Sequence, residues 1–272
     1  MQFEIKPANR FSLGLGELWE YRELFYFFTL RDIKVKYKQT VLGFLWAVLQ
    51  PLLLTFIFSF FLGKAISNYT SLPLPYDIFA LSGLVLWGIF ATGLNNAGNS
   101  MVNNANIIKK VYFPRLIIPF SAVLVGLFDF VMALVVFIVY CLFKGQALHQ
   151  TAFVYFPIAV LLTAIATFGA GSLLAALNVK FRDFRYVIPF LVQFLLFMSP
   201  VIYPASITGN KYLNGLLALN PMSAPLDFFR CALTGAAPAM QANIISIAVG
   251  LALLASGLVY FRKTEAYFAD LA

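Results

Sequence analysis

The sequence predicts an all-α, polytopic membrane protein, and three observations predict it. First, 61% of the 272 residues are hydrophobic and only 11% are charged, against about 25% charged in a soluble domain. Second, the apolar residues gather into six stretches, at about 42–62, 78–95, 116–143, 152–177, 187–203 and 243–261. Each is near the length a helix needs to cross a hydrocarbon core about 30 Å thick. Third, the positive charge falls on one side. With the N-terminus inside, inner segments carry seven basic residues before the first span, three in 96–115 (Lys109, Lys110, Arg115), three in 178–186 (Lys180, Arg182, Arg185) and two after the last (Arg262, Lys263). Only Lys64, Lys144, Lys211 and Arg230 lie outside, so fifteen of 19 basic groups are cytoplasmic, as the positive-inside bias requires. An even number of spans returns the C-terminus to the same side. The net charge of +8 is then explained by orientation and by anionic membrane lipids, and no nucleic-acid partner is expected.

Residues 1–41 read as a cytoplasmic N-terminus with no signal-peptide cleavage site, so the first span is itself the insertion signal. Residues 42–272 read as one six-helix domain. Between Glu17 and Lys38, aromatic residues (Trp19, Tyr21, Phe25, Phe27, Phe28) interleave with charges (Arg22, Glu23, Arg31, Lys34). That mixture suits an interfacial amphipathic helix, either a plain anchor or a brace that also touches a cytoplasmic partner. Pro51 removes one helical hydrogen bond from the first span and predicts a bend there. Gly169, Gly171 and Ala175 in span four, and Ser246, Gly250, Ala252 and Ser256 in span six, predict close helix approach.

Between spans two and three, Asn95, Asn96, Asn99, Asn103, Asn104 and Asn106 precede Ile107 to Arg115. A polar run leading to a short apolar and basic helix, stopped by Pro114, is either an ordinary loop or a knob that fits a groove on a partner. Between spans five and six, residues 204–242 are too apolar for a free loop and too short to cross. They predict two short helices dipping into the outer leaflet, as in a gate.

Chemistry inside the membrane would need acid, base, nucleophile or metal ligands held together. The chain has one histidine, His149, one mid-span carboxylate, Asp129, and two cysteines, Cys141 and Cys231, without metal or redox spacing. No enzyme activity, metal or cofactor is expected on this chain. Asp129 is read either as hydrogen-bonded to a neighbouring helix or as the proton carrier of a secondary transporter. The phosphate loop G-x-x-x-x-G-K-[ST] is absent from the sequence, so any ATP must be bound by a separate polypeptide.

Three stretches together resemble a known family. Arg31-Asp32-Ile33-Lys34-Val35-Lys36-Tyr37-Lys38-Gln39-Thr40, with Leu42-Gly43, Trp46 and Gln50-Pro51, is similar to the segment entering the first span of permease subunits of bacterial polysaccharide ABC exporters. Phe181-Arg182-Asp183 and Ser199-Pro200-Val201-Ile202-Tyr203-Pro204 resemble the region around their fifth span. Asn220-Pro221, Arg230 and the ending Tyr267-Phe268-Ala269-Asp270 also fit.

The resemblance implies a homodimeric type 2 ABC permease that pairs with two copies of an ATP-binding subunit, which holds ATP and Mg. The assembly would export a lipid-linked polysaccharide (O-antigen, capsule or teichoic acid) across the bacterial cytoplasmic (inner) membrane. It places a coupling helix on about 99–115, with Asn106, Lys109, Lys110, Tyr112, Phe113, Pro114 and Arg115 facing the ATPase. Gate helices fall on 204–240, with Ser199, Pro200, Pro204, Asn220, Pro221 and Arg230 as the motif that frames them. Sugar rings pack their C–H faces on aromatic rings, and the chain has 30 Phe, 13 Tyr and 3 Trp. By position, Trp87, Phe90, Phe128, Asp129 and Tyr203 are the candidates for the conduit. A drug or small-lipid exporter of the same class, and a secondary transporter, stay open as alternatives.

Overall fold

The computed structural model describes residues 15–38, 43–69, 72–205, 211–265 and 268. Among them every regular element is a helix: α1 (Leu15–Glu20), α2 (Arg22–Tyr37), α3 (Gly43–Tyr69), α4 (Tyr76–Asn103), α5 (Ala105–Ile108), α6 (Ile117–Phe143), α7 (Ala152–Lys180), α8 (Phe184–Met198), α9 (Lys211–Ala218), α10 (Ser223–Thr234) and α11 (Met240–Glu265). Gln39, Thr40, Leu42, Tyr267, Ala269 and Asp270 of the family-like motifs lie outside the described residues.

Five helices, α3, α4, α6, α7 and α11, are long and apolar enough to cross a membrane. The remaining predicted span, the fifth, is α8, whose 15 residues rise only about 22 Å. The turn that follows supplies the remaining reach. Near the start of α8, Ile188 is seated against Gly98, where an added Cβ would lie 2.6 Å from its Cδ1. Past its end, the Ile202 carbonyl accepts the Tyr76 hydroxyl at 3.0 Å. Helix α8 and its tail thus follow α4 from Gly98 to Tyr76.

Several predicted bounds are short. Helix α4 continues to Asn103 rather than 95, so most of the asparagine run is helix and not loop. Its amides turn back on the helix's own carbonyls: Asn95 donates to Ala91 at 2.8 Å and Asn99 to Asn95 at 2.9 Å. Hydropathy falls there, but the backbone ladder does not end. Helix α3 likewise runs on to Tyr69 rather than 62, unbroken through Pro51.

The core is built around α4, where Ile78, Leu86, Ile89 and Leu94 are fully buried. Small residues set how closely the neighbours approach. A Cβ on Gly126 of α6 would lie 3.1 Å from the Gly93 nitrogen of α4, and one on Gly93 2.6 Å from Thr167 of α7. At the crossing of α7 and α11, a Cβ on Gly169 would come 2.5 Å from the Leu254 nitrogen, and one on Gly257 would collide with the Gly169 carbonyl. Gly169 is one of the packing residues expected from sequence, whereas Gly250 has room around it. At one end of the bundle Asp77 ties α4 to the end of α6, accepting from Tyr140 at 2.7 Å and pairing with Lys144 at 2.8 Å. That pair raises the Lys144 ammonium above its ordinary value.

At the opposite end a second apolar cluster joins Phe28, Ile108, Phe113, Ile117, Phe261 and Phe268. It docks α2 on α6 and the turn before it through ring contacts of Phe28 with Phe113 (5.6 Å), Phe25 with Phe120 (5.0 Å) and Tyr37 with Phe128 (5.6 Å). Helix α2 therefore packs along a span rather than standing apart from the bundle. Its end reaches Asp129, twelve residues into α6, roughly 18 Å along the axis.

Candidate functional site

Three places collect the candidate residues. The first is the projection after α4. Asn106, Lys109, Lys110 and Tyr112 are exposed, Tyr112 at 78%. Phe113 and Pro114 are buried, Phe113 against Phe28. The Arg115 guanidinium donates to the Glu265 carbonyl, and its backbone N–H donates to the Glu265 side chain at 3.1 Å. The seven predicted residues divide by environment: four form a free face, and three mount it on α2 and α11.

The second place is a cavity of about 460 Å³ between α3, α4, α6 and α8. Its lining alternates indole and amide: Trp46 and Trp87 with Gln50, Asn96, Gln193 and the Thr92 hydroxyl. Asp129 and Lys36 complete it. Asp129 pairs with Lys36 and accepts the Tyr37 hydroxyl. Its carboxylate is thus neutralised by the helix that precedes the first span, a partner not foreseen because 1–41 was read as outside the spans. Of the predicted conduit residues, Trp87 and Asp129 line this cavity. Phe90 is buried behind Trp87 with its ring 5.1 Å away. Phe128 packs on Tyr37, and Tyr203 sits in the turn beyond α8, donating to the Phe197 carbonyl at 3.0 Å. Gln50 entered only as part of the family-like motif and Gln193 not at all, although an uncharged amide in an otherwise apolar span is a signal for a protein- or water-facing position.

The third place is a clasp at the end of α8. Ser199 is fully buried, and its hydroxyl accepts the Asn220 amide at 2.8 Å. Arg230 of α10 donates to the Pro200 and Val201 carbonyls at 2.7 and 2.6 Å, with its guanidinium 3.6 Å from the Phe79 ring centre. Among the described residues its buried Nε has no hydrogen-bond partner. Burial pulls the guanidinium down to about 9, so it stays charged at neutral pH. The Asn220 carbonyl accepts the Ser246 hydroxyl at 2.7 Å, which fixes the turn before α10 to α11. The fold thus gathers Ser199, Pro200, Asn220 and Arg230 into one joint. Pro221 continues that turn toward Gly250, and Pro204 lies past the joint, half-buried.

The two short helices predicted between spans five and six are α9 and α10, and they differ. Helix α10 buries Leu226, Phe228, Phe229 and Leu233 in the main core, whereas α9 exposes Tyr212, Leu213 and Leu216. Either element is too short to cross a membrane.

Apolar spans enclosing a cavity of amides and indoles, with a mounted projection at one end and a clasp at the other, define a multi-pass helical membrane protein built as a transport subunit. Residues 23–234 match the ABC-2 type transporter family, and the chain belongs to it. It is 28% identical over 266 residues to an O-antigen export system permease protein, RfbA, of Klebsiella pneumoniae, covering 96% of this chain and 98% of that protein. A protein of the same name from Myxococcus xanthus is 31% identical over 261 residues, 92% of this chain and 96% of its own length. The polysialic acid transport protein KpsM of Escherichia coli is 24% identical over 252 residues, 87% and 91% of the two chains.

Proposed function

We propose that this chain is the membrane-spanning permease of an ATP-driven exporter that moves a lipid-linked polysaccharide across the bacterial inner membrane. The observation that carries the reading is the cavity lined by Trp46, Trp87, Gln50, Asn96 and Gln193. Indole faces take the C–H sides of sugar rings, and amides take their hydroxyls. The relatives named for O-antigen export and polysialic acid transport supply the substrate class.

ATP and Mg belong to a second polypeptide that docks on Lys109, Lys110 and Tyr112; Asn106, expected with them, lines the cavity beside α2 instead. Two permeases and two such subunits make the working assembly. The charge bias of the sequence supports six spans with both termini in the cytoplasm, α8 and its tail being the fifth. ATP-driven closure of the partner then shifts the permease between closed and open states, because the two states differ in how they hold that partner. Asp129, neutralised by Lys36, serves as a brace for α2 rather than as a proton carrier. Affinity purification from native membranes tests the assignment: an ATP-hydrolysing partner in equal amount supports it. A chain that purifies alone, with surface polysaccharide unchanged when its gene is deleted, removes it.

A further inference from the structure

Outside the cavity just described lies a second one of about 710 Å³, between α2, α4, α5 and α6. Its volume is within the range of small-ligand sites, roughly 300–1,000 Å³. Asn96 and Lys36 line both cavities, so the two meet there. One wall carries Asn96, Asn103 and Asn106. Their neighbours Asn95, Asn99 and Asn104 spend their amide donors on carbonyls one turn back, at 2.8, 2.9 and 2.8 Å. Among the described residues, the side chains of Asn96, Asn103 and Asn106 make no hydrogen bond. Each keeps two donors and an acceptor for a visitor.

The charges in the opposite wall are matched: Arg31 pairs with Asp32 at 2.7 Å, and Lys36 pairs with Asp129. A cavity of free amides and neutralised charges suits a ligand rich in hydroxyls and without charge. A phosphate would want the cations unpaired. We propose that this outer cavity is a loading site for the neutral sugar portion of the cargo, held by Asn96, Asn103 and Asn106 before it passes Asn96 into the inner cavity. The proposal rests on the exporter reading for its cargo, and on the free amides and the shared wall for its place.

The test is a protection assay on the purified full chain carrying Asn103→Cys. Cys141 and Cys231 are both buried, so a small maleimide reads the new thiol. A neutral oligosaccharide of hexose units is expected to slow labelling several-fold at saturation, and inorganic phosphate to leave it unchanged. Adding Asn96→Ala is expected to raise the sugar concentration for half-protection roughly tenfold, as befits the loss of one hydrogen-bonded amide. Asn106→Cys, on the same wall, gives an independent reading should the first variant misfold. Labelling indifferent to sugar at both positions, or slowed by phosphate instead, overturns the assignment. The readout is binding by the isolated chain, so it separates two failures. Protection without export in cells would remove the exporter reading alone, and export by a chain that sugar does not protect would remove the loading site alone.

Discussion

Helices α3 and α4 are both apolar, of similar length and adjacent in sequence, yet 78% of the most apolar stretch of α4 is buried and only 6% of that of α3. Helix α4 has α6, α7 and α8 around it. Helix α3 presents Phe56, Phe60 and Phe61 outward, at 69–72% exposure. In water such a face would be untenable, whereas in a bilayer lipid tails cover it without penalty. Hydropathy therefore reports that a helix belongs in the membrane and is silent on whether protein or lipid surrounds it. What distinguishes the two is small residues: α4 carries Gly83, Gly93 and Gly98 against close neighbours.

The largest effect that would break this contrast is expected at those glycines. Gly93→Leu drives its side chain into Thr167 and should cost about 3 kcal/mol by overpacking, seen as loss of folded protein on size-exclusion chromatography. Next comes the clasp beside the Tyr76 end of α4. Arg230→Ala removes two hydrogen bonds to buried carbonyls and should lower stability by about 2 kcal/mol. Arg230→Lys should not rescue it, because a compact ammonium lacks the planar fork that spans both carbonyls while lying on the Phe79 ring; thermal unfolding in detergent measures both.

The brace is expected to matter less. Asp129→Asn keeps an acceptor for Tyr37 but loses the ion pair, on the order of 1–2 kcal/mol, below the cost of breaking a fully buried pair. Export should fall without vanishing, and the exchange Lys36→Asp with Asp129→Lys should restore it. Complete loss of export with intact folding would return Asp129 to the role of proton carrier. Tyr112→Ala should leave thermal stability within about 0.5 kcal/mol, as for other exposed sites, yet separate ATP hydrolysis from export. Phe113→Ala should instead lower stability. The smallest effect is expected on α3, where Phe60→Ala should leave the unfolding temperature of the single chain unchanged; a large drop would mean that α3 is held by more than lipid.

Five spans and the projection were legible because each leaves a local mark, an apolar run or an asparagine-rich polar break ending in proline, whereas the clasp residues came from the family resemblance alone. The shortness of α8 was not, since Ser199 to Tyr203 are as apolar as the helix they follow. The helical state of Asn95 to Asn103 was hidden because hydropathy falls there while the helix continues, with Asn95 and Asn99 donating to carbonyls one turn back. The pairing of Asp129 was out of reach for a different reason. Its partner Lys36 lies 93 residues upstream, and only the docking of α2 along α6 brings the two together. Gly257 escaped notice because what it meets, the Gly169 backbone, is set by a crossing that spacing on one helix does not specify.

Tyr112 and Phe113 are neighbours in the chain, one exposed and the other locked against Phe28. Two residues further on, Arg115 is fastened to the end of α11 through Glu265. The projection is in this sense a rocker with one handle and two pivots. A push on Tyr112 is divided between α2, whose far end grips Asp129 beside the inner cavity, and α11, whose other end holds the turn at Asn220. Under the proposed coupling, one stroke of an ATP-binding partner on Tyr112 reaches the Asp129 brace and the Asn220 turn together.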